Sequence, residues 1–312
     1  MISRLLALGL CAMTQHAFAA DDFSARLDAL WNFGDPAASE ARFRSERVTH
    51  PARSREALET DTQIARTQGL RRQFAAAHAT LDAIEPGLAA VDPRVRVRYL
   101  LERGRTLNSS GSQDQAVPLF EDAAARSAAL RRAGDEFYTV DALHMLGIAA
   151  PPAERLAWNL KALAAADAAS DPRARHWRGS LLHNLGWMYF DAGDVATALD
   201  YWKRALAFRQ ETGNAARIRE AQWTVARGLR AQGRLDEAEA MQRALAAEFE
   251  KAGEVDGFVF EELMELALAR GDRAAAAPWA AKAHAALKDD GELQANEPAR
   301  LKRLAAVGNL AP

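Results

Sequence analysis

The chain has 312 residues, of which 49% are hydrophobic, so an intrinsically disordered protein is not expected. Its 40 lysine and arginine residues are nearly balanced by 42 aspartate and glutamate residues, so the chain lacks the basic excess typical of nucleic-acid-binding proteins. The length suffices for two ordinary domains or for one long repeat domain.

The first twenty residues have the three parts of a secretory signal peptide. Arg4 gives a positive charge, residues 5–13 form a short apolar run, and Ala17 and Ala19 are the small residues that signal peptidase recognises. A spanning helix needs about 20 apolar residues, and no other segment approaches that length, so we predict no transmembrane helix. The sequence thus predicts signal peptide 1–20 and a periplasmic or secreted protein. A misassigned start codon would instead give a cytoplasmic one.

The only cysteine is Cys11, which lies within the predicted signal peptide. After cleavage the chain would contain no cysteine, so we expect no disulfide, no thiolate metal site and no cysteine nucleophile. The stability of the mature chain would then depend on its apolar core.

One helical-hairpin pattern recurs about every forty residues along almost the whole chain. Its clearest copy consists of Leu182, Leu185, Gly186, Tyr189, Gly193, Ala198, Trp202 and Ala205. Apolar spacings of three and four residues predict one helix before Gly193 and another after it. The small-residue slot recurs at intervals of 38 to 41 residues, at Ser39, Ala77, Ala116, Ala157, Ala198, Ala238 and Ala276. A fixed period of this length is typical of a solenoid of stacked helix pairs.

Small and large residues alternate in each copy because two helices approach closely only where side chains are tiny. We expect Gly186 and Ala198 to form this close contact and the larger Tyr189 and Trp202 to fill the space around it. Trp202 and Trp279 are therefore predicted as core residues.

Local signals mark the helix ends. An aspartate before a proline predicts a capped helix start at Asp35-Pro36, Asp92-Pro93 and Asp171-Pro172. The polar residues 109–112 are predicted to form a turn, and Pro151-Pro152 to form an abbreviated one. Residues 298–307 are predicted to form a single amphipathic helix.

These repeats resemble the tetratricopeptide repeat over roughly residues 22–290. The resemblance implies an all-α, right-handed α-solenoid of about seven hairpins in residues 21–290, followed by a capping helix and tail in residues 291–312. The family's minimal period is about 34 residues, whereas HEAT and armadillo repeats have periods of about 40 residues. HEAT or armadillo repeats therefore remain the alternative, although the order of glycine, alanine and aromatic residues favours the tetratricopeptide fold.

The resemblance also implies a concave groove lined by the first helix of each hairpin. Its predicted lining residues are Arg66, Arg105, Asn108, His144, His183, Asn184, Trp187, Trp223, Arg227, Arg230, Glu261 and Glu265. Tryptophan and arginine are common anchors in peptide recognition. Some family members clamp a carboxyl terminus with lysine and asparagine, but His183, Trp187, Trp223 and Arg227 occupy those slots here, so that clamp is not predicted.

No metalloprotease, phosphate-loop or serine-hydrolase motif occurs in the chain. His144 and His183 occupy equivalent slots, but a metal site needs a third ligand and none is evident. The sequence thus predicts a non-enzymatic scaffold that binds a protein or peptide, with no cofactor, no metal and no nucleic acid. The alternative is an enzyme, a ligand-sensing regulator or a small-ligand receptor with a pocket around His144, His183, Trp187 and Trp223. The polar C-terminal helix favours a monomer.

Overall fold

The computed structural model describes residues 23–24, 26–130 and 134–310, and the predicted signal peptide 1–20 lies outside these residues. In the described part, residues 23–24 and 26–29 are helical, sixteen α-helices follow, and there is no strand. The prediction of an all-α helical repeat fold is therefore confirmed. No helix in this part of the chain is long and apolar enough to cross a membrane.

The helices fall into two compact units, which we call unit 1 (Met1–Leu181) and unit 2 (Leu182–Pro312). The helices that begin in unit 1 are α1 (Pro36–Arg47), α2 (Arg55–Leu70), α3 (Phe74–Ile84), α4 (Pro93–Ser109), α5 (Gln113–Leu130), α6 (Asp135–Ala149), α7 (Pro152–Ala168), α8 (Pro172–His176) and α9 (Arg178–Asp191). The others are α10 (Val195–Thr212), α11 (Ala215–Ala231), α12 (Leu235–Lys251), α13 (Gly257–Ala269), α14 (Arg273–Leu287), α15 (Gly291–Asn296) and α16 (Pro298–Val307). A 3₁₀-helix, Glu85–Ala90, lies between α3 and α4.

The predicted helix starts are confirmed. The side chains of Asp35, Asp92 and Asp171 each accept a hydrogen bond from a backbone N–H in the first turn of α1, α4 and α8, respectively. In each case the following proline is the first helical residue, where its missing N–H costs nothing. The capping aspartates therefore fix where these three helices begin.

The hairpin turns contain glycines in the left-handed region of backbone space. Gly111 has φ +91° within the polar turn 109–112, as predicted for that segment, and Gly193 has φ +84° between α9 and α10. Residues with a Cβ rarely adopt this conformation. Asp194, directly after Gly193, caps α10 through the backbone N–H of Thr197.

The glycines predicted to contact a small residue of the next helix pack instead against a large one in both units: Gly186 was expected to meet Ala198, but its nearest neighbour is Trp202. A Cβ added to Gly186 would lie within 2.9 Å of three atoms of the Trp202 indole, and one added to Gly104 would lie within 3.0 Å of three atoms of the Phe120 ring. Trp202, Phe120 and Ala198 are fully buried. Tight helix contacts of this kind set the spacing inside each hairpin.

The predicted small slot at Ala157 is wrong, because Ala157 is exposed to solvent. The partner of Gly147 is instead the buried Asn159, three atoms of which would lie within 2.9 Å of a Cβ at Gly147. Trp202 follows Gly186 by 16 residues, but Asn159 follows Gly147 by only 12, so the Pro151-Pro152 turn removes four residues. Four residues are about one helical turn, so the same faces of α6 and α7 still meet.

The second error concerns Trp279, which is only partly buried, whereas Trp202 is core as predicted. The buried position four residues after Ala276 is Ala280. Trp279 precedes it by one residue, which rotates it about 100° around α14. It stacks instead on Phe260, with ring centroids 5.9 Å apart.

The C-terminal stretch predicted as one helix is α16, with the predicted bounds Pro298–Val307. Leu304 and Val307 are buried in one apolar cluster with Met264 and Leu287. This helix therefore covers the apolar face of the last hairpin, α13 and α14.

Candidate binding sites

In unit 1, one slot recurs on the first helices of three hairpins. Arg66 on α2, Glu102 on α4 and Asp141 on α6 are 36 and 39 residues apart, which is close to one repeat. Neighbouring positions on the same helix faces, including Gln63, Arg98 and Tyr138, lie at helical spacings of three or four residues from these residues.

These helix faces line a cavity of 590 Å³, which we call the unit 1 cavity. Trp31 and Phe33 from the beginning of the described chain form another part of its wall, as do Arg173 and Trp177. Arg173 Nη1 donates a hydrogen bond of 3.1 Å to Asp28 Oδ2 across 145 residues. The first and last elements of the wall therefore meet directly. A volume of this size lies in the range of small-molecule pockets.

Aromatic rings form much of the cavity wall. Trp31 and Phe33 are stacked with centroids 4.6 Å apart, and the Arg66 guanidinium carbon lies 5.4 Å from the centroid of each ring. The Phe137 and Trp177 rings are 6.3 Å apart. Phe33 is 60% exposed although it is a large apolar residue. The wall thus presents both buried and accessible aromatic surface.

Buried ion pairs hold the charged side chains of the wall. Arg98 Nη1 lies 2.5 Å from Glu59 Oε1, and both residues are buried. Burial lowers the pKa of Arg98, but Tyr138, Glu59 and the more distant Asp28 outweigh burial and raise it overall. The cation of Arg98 is therefore well compensated by its surroundings.

Arg105, one of the predicted groove residues, bonds to the carboxylates of both Glu102 and Asp141. Burial raises the pKa of Asp141, but attraction to Arg105 and then Arg66 lowers it overall. Arg105 thus neutralises the acidic side of the cavity.

The remaining unit 1 predictions, Asn108 and His144, do not line the cavity. Asn108 Oδ1 and His144 Nδ1 are buried and have no hydrogen-bond partner among the described residues. The His144 ring lies 4.8 Å from the Trp177 ring, and burial lowers the pKa of His144. Of the predicted unit 1 residues, only Arg66 reaches the cavity.

In unit 2, the predicted residues Trp187, Trp223 and Arg227 form one cluster. The two indoles lie 6.3 Å apart, and the Arg227 guanidinium carbon lies 5.5 Å from the Trp187 centroid and 5.4 Å from the Trp223 centroid. Trp187 Nε1 donates a 3.1 Å hydrogen bond to His183 Nε2. Asn184, the next residue in α9, is half-buried.

The predicted charges at the C-terminal end of unit 2 pair with one another. Arg227 and Arg230 both donate to the buried carboxylate of Glu262. Two further pairs join α13 to α16, namely Arg300 with Glu261 and Arg303 with Glu265. The predicted charged residues at this end of unit 2 are therefore largely neutralised by their partners.

Four of the buried or partly buried ion pairs join residues about one repeat apart. The separations are 39 residues for Arg98 with Glu59, 41 for Arg94 with Asp135, 36 for Arg105 with Asp141 and 35 for Arg227 with Glu262. These pairs link α2 to α4, α4 to α6 and α11 to α13, and we call them the ion-pair ladder.

A second cavity, which we call the unit 2 groove, has a volume of 470 Å³. Its lining residues are Ala216, Arg219, Glu220, Trp223, Leu245, Phe249, Asp256, Phe258 and Arg300. Trp223 is fixed there by a hydrogen bond of 3.1 Å from its Nε1 to the carbonyl oxygen of Phe258. Arg219 lies 4.3 Å from the Phe249 ring centroid and 2.8 Å from Glu254.

The sequence predicted one residue of each cavity and missed most of the others. Trp31 and Trp177 are conspicuous as tryptophans, but nothing local shows that they approach the same space. Both line the cavity in which Asp28 bonds to Arg173, a contact that no repeat period predicts. Phe33, three residues before the α1 proline, carries no signal beyond its apolar character. Among the described residues, no group of three potential metal ligands is present.

Comparison with known proteins supports the fold. Residues 177–251 match the family model of the tetratricopeptide repeat, which favours that repeat over HEAT and armadillo repeats. No curated protein matches the chain.

Three solved structures are similar in fold. PilW, a widely conserved type IV pilus biogenesis factor, is 21% identical with a TM-score of 0.54, covering 78% of this chain and 99% of its own. A chain of the APC/C hetero-tetramer Cut9-Hcn1 is 14% identical with a TM-score of 0.58, and the match covers 89% of this chain and 48% of that chain. Aspartyl phosphate phosphatase F from Bacillus subtilis is 14% identical with a TM-score of 0.53, and the match covers 83% of this chain and 74% of that chain. At these identities the likeness shows the fold alone.

Proposed function

We propose that the chain is a non-enzymatic scaffold of the tetratricopeptide repeat type, which binds a segment of a partner protein in the unit 2 groove; the match of residues 177–251 to the model of that repeat supports this. The observation that carries this proposal is the half-buried Trp223, which lines a groove of 470 Å³ beside an arginine-aromatic cluster. Tryptophan and arginine are the side chains most enriched among residues that dominate binding energy.

The groove side chains are held in place before any partner arrives. The hydrogen bond from Trp223 to Phe258 and the contacts of Arg219 with Phe249 and Glu254 restrict their rotamers. Ordering a flexible side chain on binding costs roughly 0.5–1.5 kcal/mol. Much of this cost is already met in the free protein, which favours binding of a peptide.

The lining indicates the chemistry of the bound segment. Trp223, Leu245 and Phe249 offer an apolar floor, while Arg219 and Glu220 offer both signs of charge. A large apolar side chain would bury against the floor, and polar residues on either side of it would meet the charged rim. We therefore expect one apolar anchor in the partner segment rather than a highly charged one.

The proposed location is the periplasm or the exterior, on the basis of the predicted signal peptide. N-terminal sequencing of the protein from its native source tests this part. A mature chain that begins near residue 21 would support export, whereas an intact N-terminus or a later start codon would favour the cytoplasm.

Selection of peptides from a displayed random library on residues 21–312 tests binding in the groove. The affinity of a selected peptide is then measured for the wild type and for Trp223→Ala, with Trp279→Ala as a matched control. Trp279 is another partly buried tryptophan of unit 2, but it lies outside the groove. Circular dichroism checks that both variants are folded.

We expect Trp223→Ala to weaken binding about 30-fold, which corresponds to about 2 kcal/mol, and Trp279→Ala to leave it unchanged. Equal losses in both variants would move the binding site away from the groove. Failure to select any peptide would count against a peptide-binding function.

A further inference from the structure

The unit 1 cavity has features of a small-molecule site that are separate from the proposed groove. Its wall contains the first described helical residues and α8, which are joined by the Asp28–Arg173 hydrogen bond. The cavity volume of 590 Å³ is ample for a compact small molecule.

Arg66 is the one arginine of the cavity wall that lacks a hydrogen bond to any described residue. Its nearest carboxylate oxygen, Glu102 Oε1, is 3.8 Å away, which is too far for a hydrogen bond. Its other contacts are the rings of Trp31 and Phe33.

The electrostatic balance singles out the same side chain. Burial, followed by repulsion from Arg105, lowers the pKa of Arg66. The other two arginines of the wall instead bond directly to carboxylates, Arg98 to Glu59 and Arg173 to Asp28 and Asp171. The guanidinium of Arg66 is thus the least compensated cation in the wall, and an anion beside it would be stabilised.

Two further polar groups of the wall are buried without a hydrogen-bond partner in the described chain. The hydroxyl of Tyr138, a residue only 2% exposed, is one of them, and burial raises its pKa, so it stays protonated and can donate. The second is Glu102 Oε2, an anionic acceptor. A buried polar group without a partner destabilises the protein, so a ligand that pairs with these groups is favoured.

These groups call for a ligand that carries both signs of charge. Three arginines, Arg66, Arg98 and Arg173, and three carboxylates, those of Asp28, Glu102 and Asp141, line the cavity. Their formal charges cancel, so a ligand with a net charge would upset the charge balance of a wall in which Arg98, Glu102 and Asp141 are buried. A zwitterion would instead satisfy donors and acceptor together.

We propose that the unit 1 cavity binds a free aromatic α-amino acid. Its carboxylate accepts hydrogen bonds from Arg66 and the Tyr138 hydroxyl, and its ammonium group donates to Glu102. Its ring packs between the aromatic residues of the wall, Trp31, Phe33, Phe137 and Trp177. Ring pairs of this kind contribute beyond the area that they bury.

Calorimetric titration of residues 21–312 with L-phenylalanine and L-tryptophan tests the proposal. Phenethylamine lacks the carboxylate, 3-phenylpropionate lacks the ammonium group, and L-phenylalanine amide lacks the negative charge. We expect each of these three probes to bind at least tenfold more weakly than L-phenylalanine. Equal binding of the amino acid and either truncated probe would overturn the proposal, as would no binding of either amino acid at millimolar concentration.

Two dipeptides separate a free amino acid from a peptide end. Phe-Ala blocks the carboxylate of phenylalanine, and Ala-Phe blocks its ammonium group, so both should bind at least tenfold more weakly than L-phenylalanine. Tighter binding of either dipeptide would show that the cavity holds a peptide terminus and would refute the assignment.

Substitutions locate the site. Arg66→Gln should weaken L-phenylalanine binding at least tenfold and Tyr138→Phe several-fold. The control Arg103→Gln alters another arginine of unit 1, which pairs with Asp82 outside the cavity, and should leave affinity unchanged. Unchanged affinity in Arg66→Gln would overturn the assignment. If that variant does not fold, the probes on the wild-type protein still decide the question.

This proposal does not depend on the groove of unit 2. Trp223→Ala should leave amino-acid binding intact, and Arg66→Gln should leave peptide binding intact. The two sites can therefore fail separately.

Discussion

A single methyl group at Gly186 tests the packing rule on which the repeats depend. In Gly186→Ala the new Cβ would lie within 2.9 Å of three atoms of the Trp202 indole. The Trp202 side chain cannot easily move away, because it is fully buried and held by neighbours. Its Nε1 donates a hydrogen bond of 3.2 Å to the carbonyl oxygen of His183, and its ring centroid lies 5.1 Å from that of Trp187.

The size of the effect follows from two opposing contributions. Overpacking a core costs about 1–3 kcal/mol, and contact with three ring atoms places Gly186→Ala near the upper end of that range. Alanine in place of glycine inside a helix contributes about 1 kcal/mol in the opposite direction. We therefore expect the free energy of unfolding to fall by about 2 kcal/mol.

Gly69→Ala is the matched control. A Cβ at Gly69, in the last turn of α2, would have only one neighbour within 4 Å outside its own helix, the Thr106 hydroxyl oxygen at 3.7 Å. The helix-propensity gain should therefore appear without the clash, and stability should rise by up to about 1 kcal/mol. Urea unfolding followed by far-UV circular dichroism and tryptophan fluorescence compares both variants with the wild type. If Gly186→Ala is as stable as Gly69→Ala, the close-contact argument is refuted.

Two further predictions concern charged groups. Glu262→Gln should lower the free energy of unfolding by about 3 kcal/mol, which is the low end of the range for a broken buried ion pair. The low end applies because the partners Arg227 and Arg230 are 28% and 20% exposed. An unchanged midpoint of urea unfolding would contradict this prediction. Burial lowers the pKa of His144, so the native state binds fewer protons there and stability should fall as the pH drops below about 6.5. His144→Gln should weaken that pH dependence in thermal melts, and an unaltered pH profile would argue against it.

The repeat fold was predictable because its signals are local. Helix periodicity, the capping aspartates and the alternation of small and large residues each depend on residues within about twenty positions of one another. The exact pairing was not predicted, because Gly186 was expected to meet Ala198 and packs against Trp202 instead. The error at Ala157 arose from the length of one turn. A shift of two residues rotates a helix position by about 200°, which turned a predicted core slot into an exposed one.

The candidate sites were less predictable because they depend on distant partners. Arg66, Arg227 and Glu261 were correctly placed on first helices, but the sequence did not show which carboxylate or arginine one repeat away each would meet. The approach of Asp28 to Arg173 involves residues at opposite ends of unit 1. No period or motif reports such a contact, so the unit 1 cavity became visible only in three dimensions.

The ion-pair ladder also restricts how such a chain can change by duplication or recombination. Each arginine finds its carboxylate in one particular neighbour, as Arg98 does with Glu59 and Arg94 with Asp135. Deleting or exchanging the hairpin α4–α5, for example, would take the arginine partner from buried Glu59 on one side and from buried Asp135 on the other. These repeats are therefore no longer interchangeable modules, and the chain is expected to gain or lose hairpins at its ends more readily than in its interior.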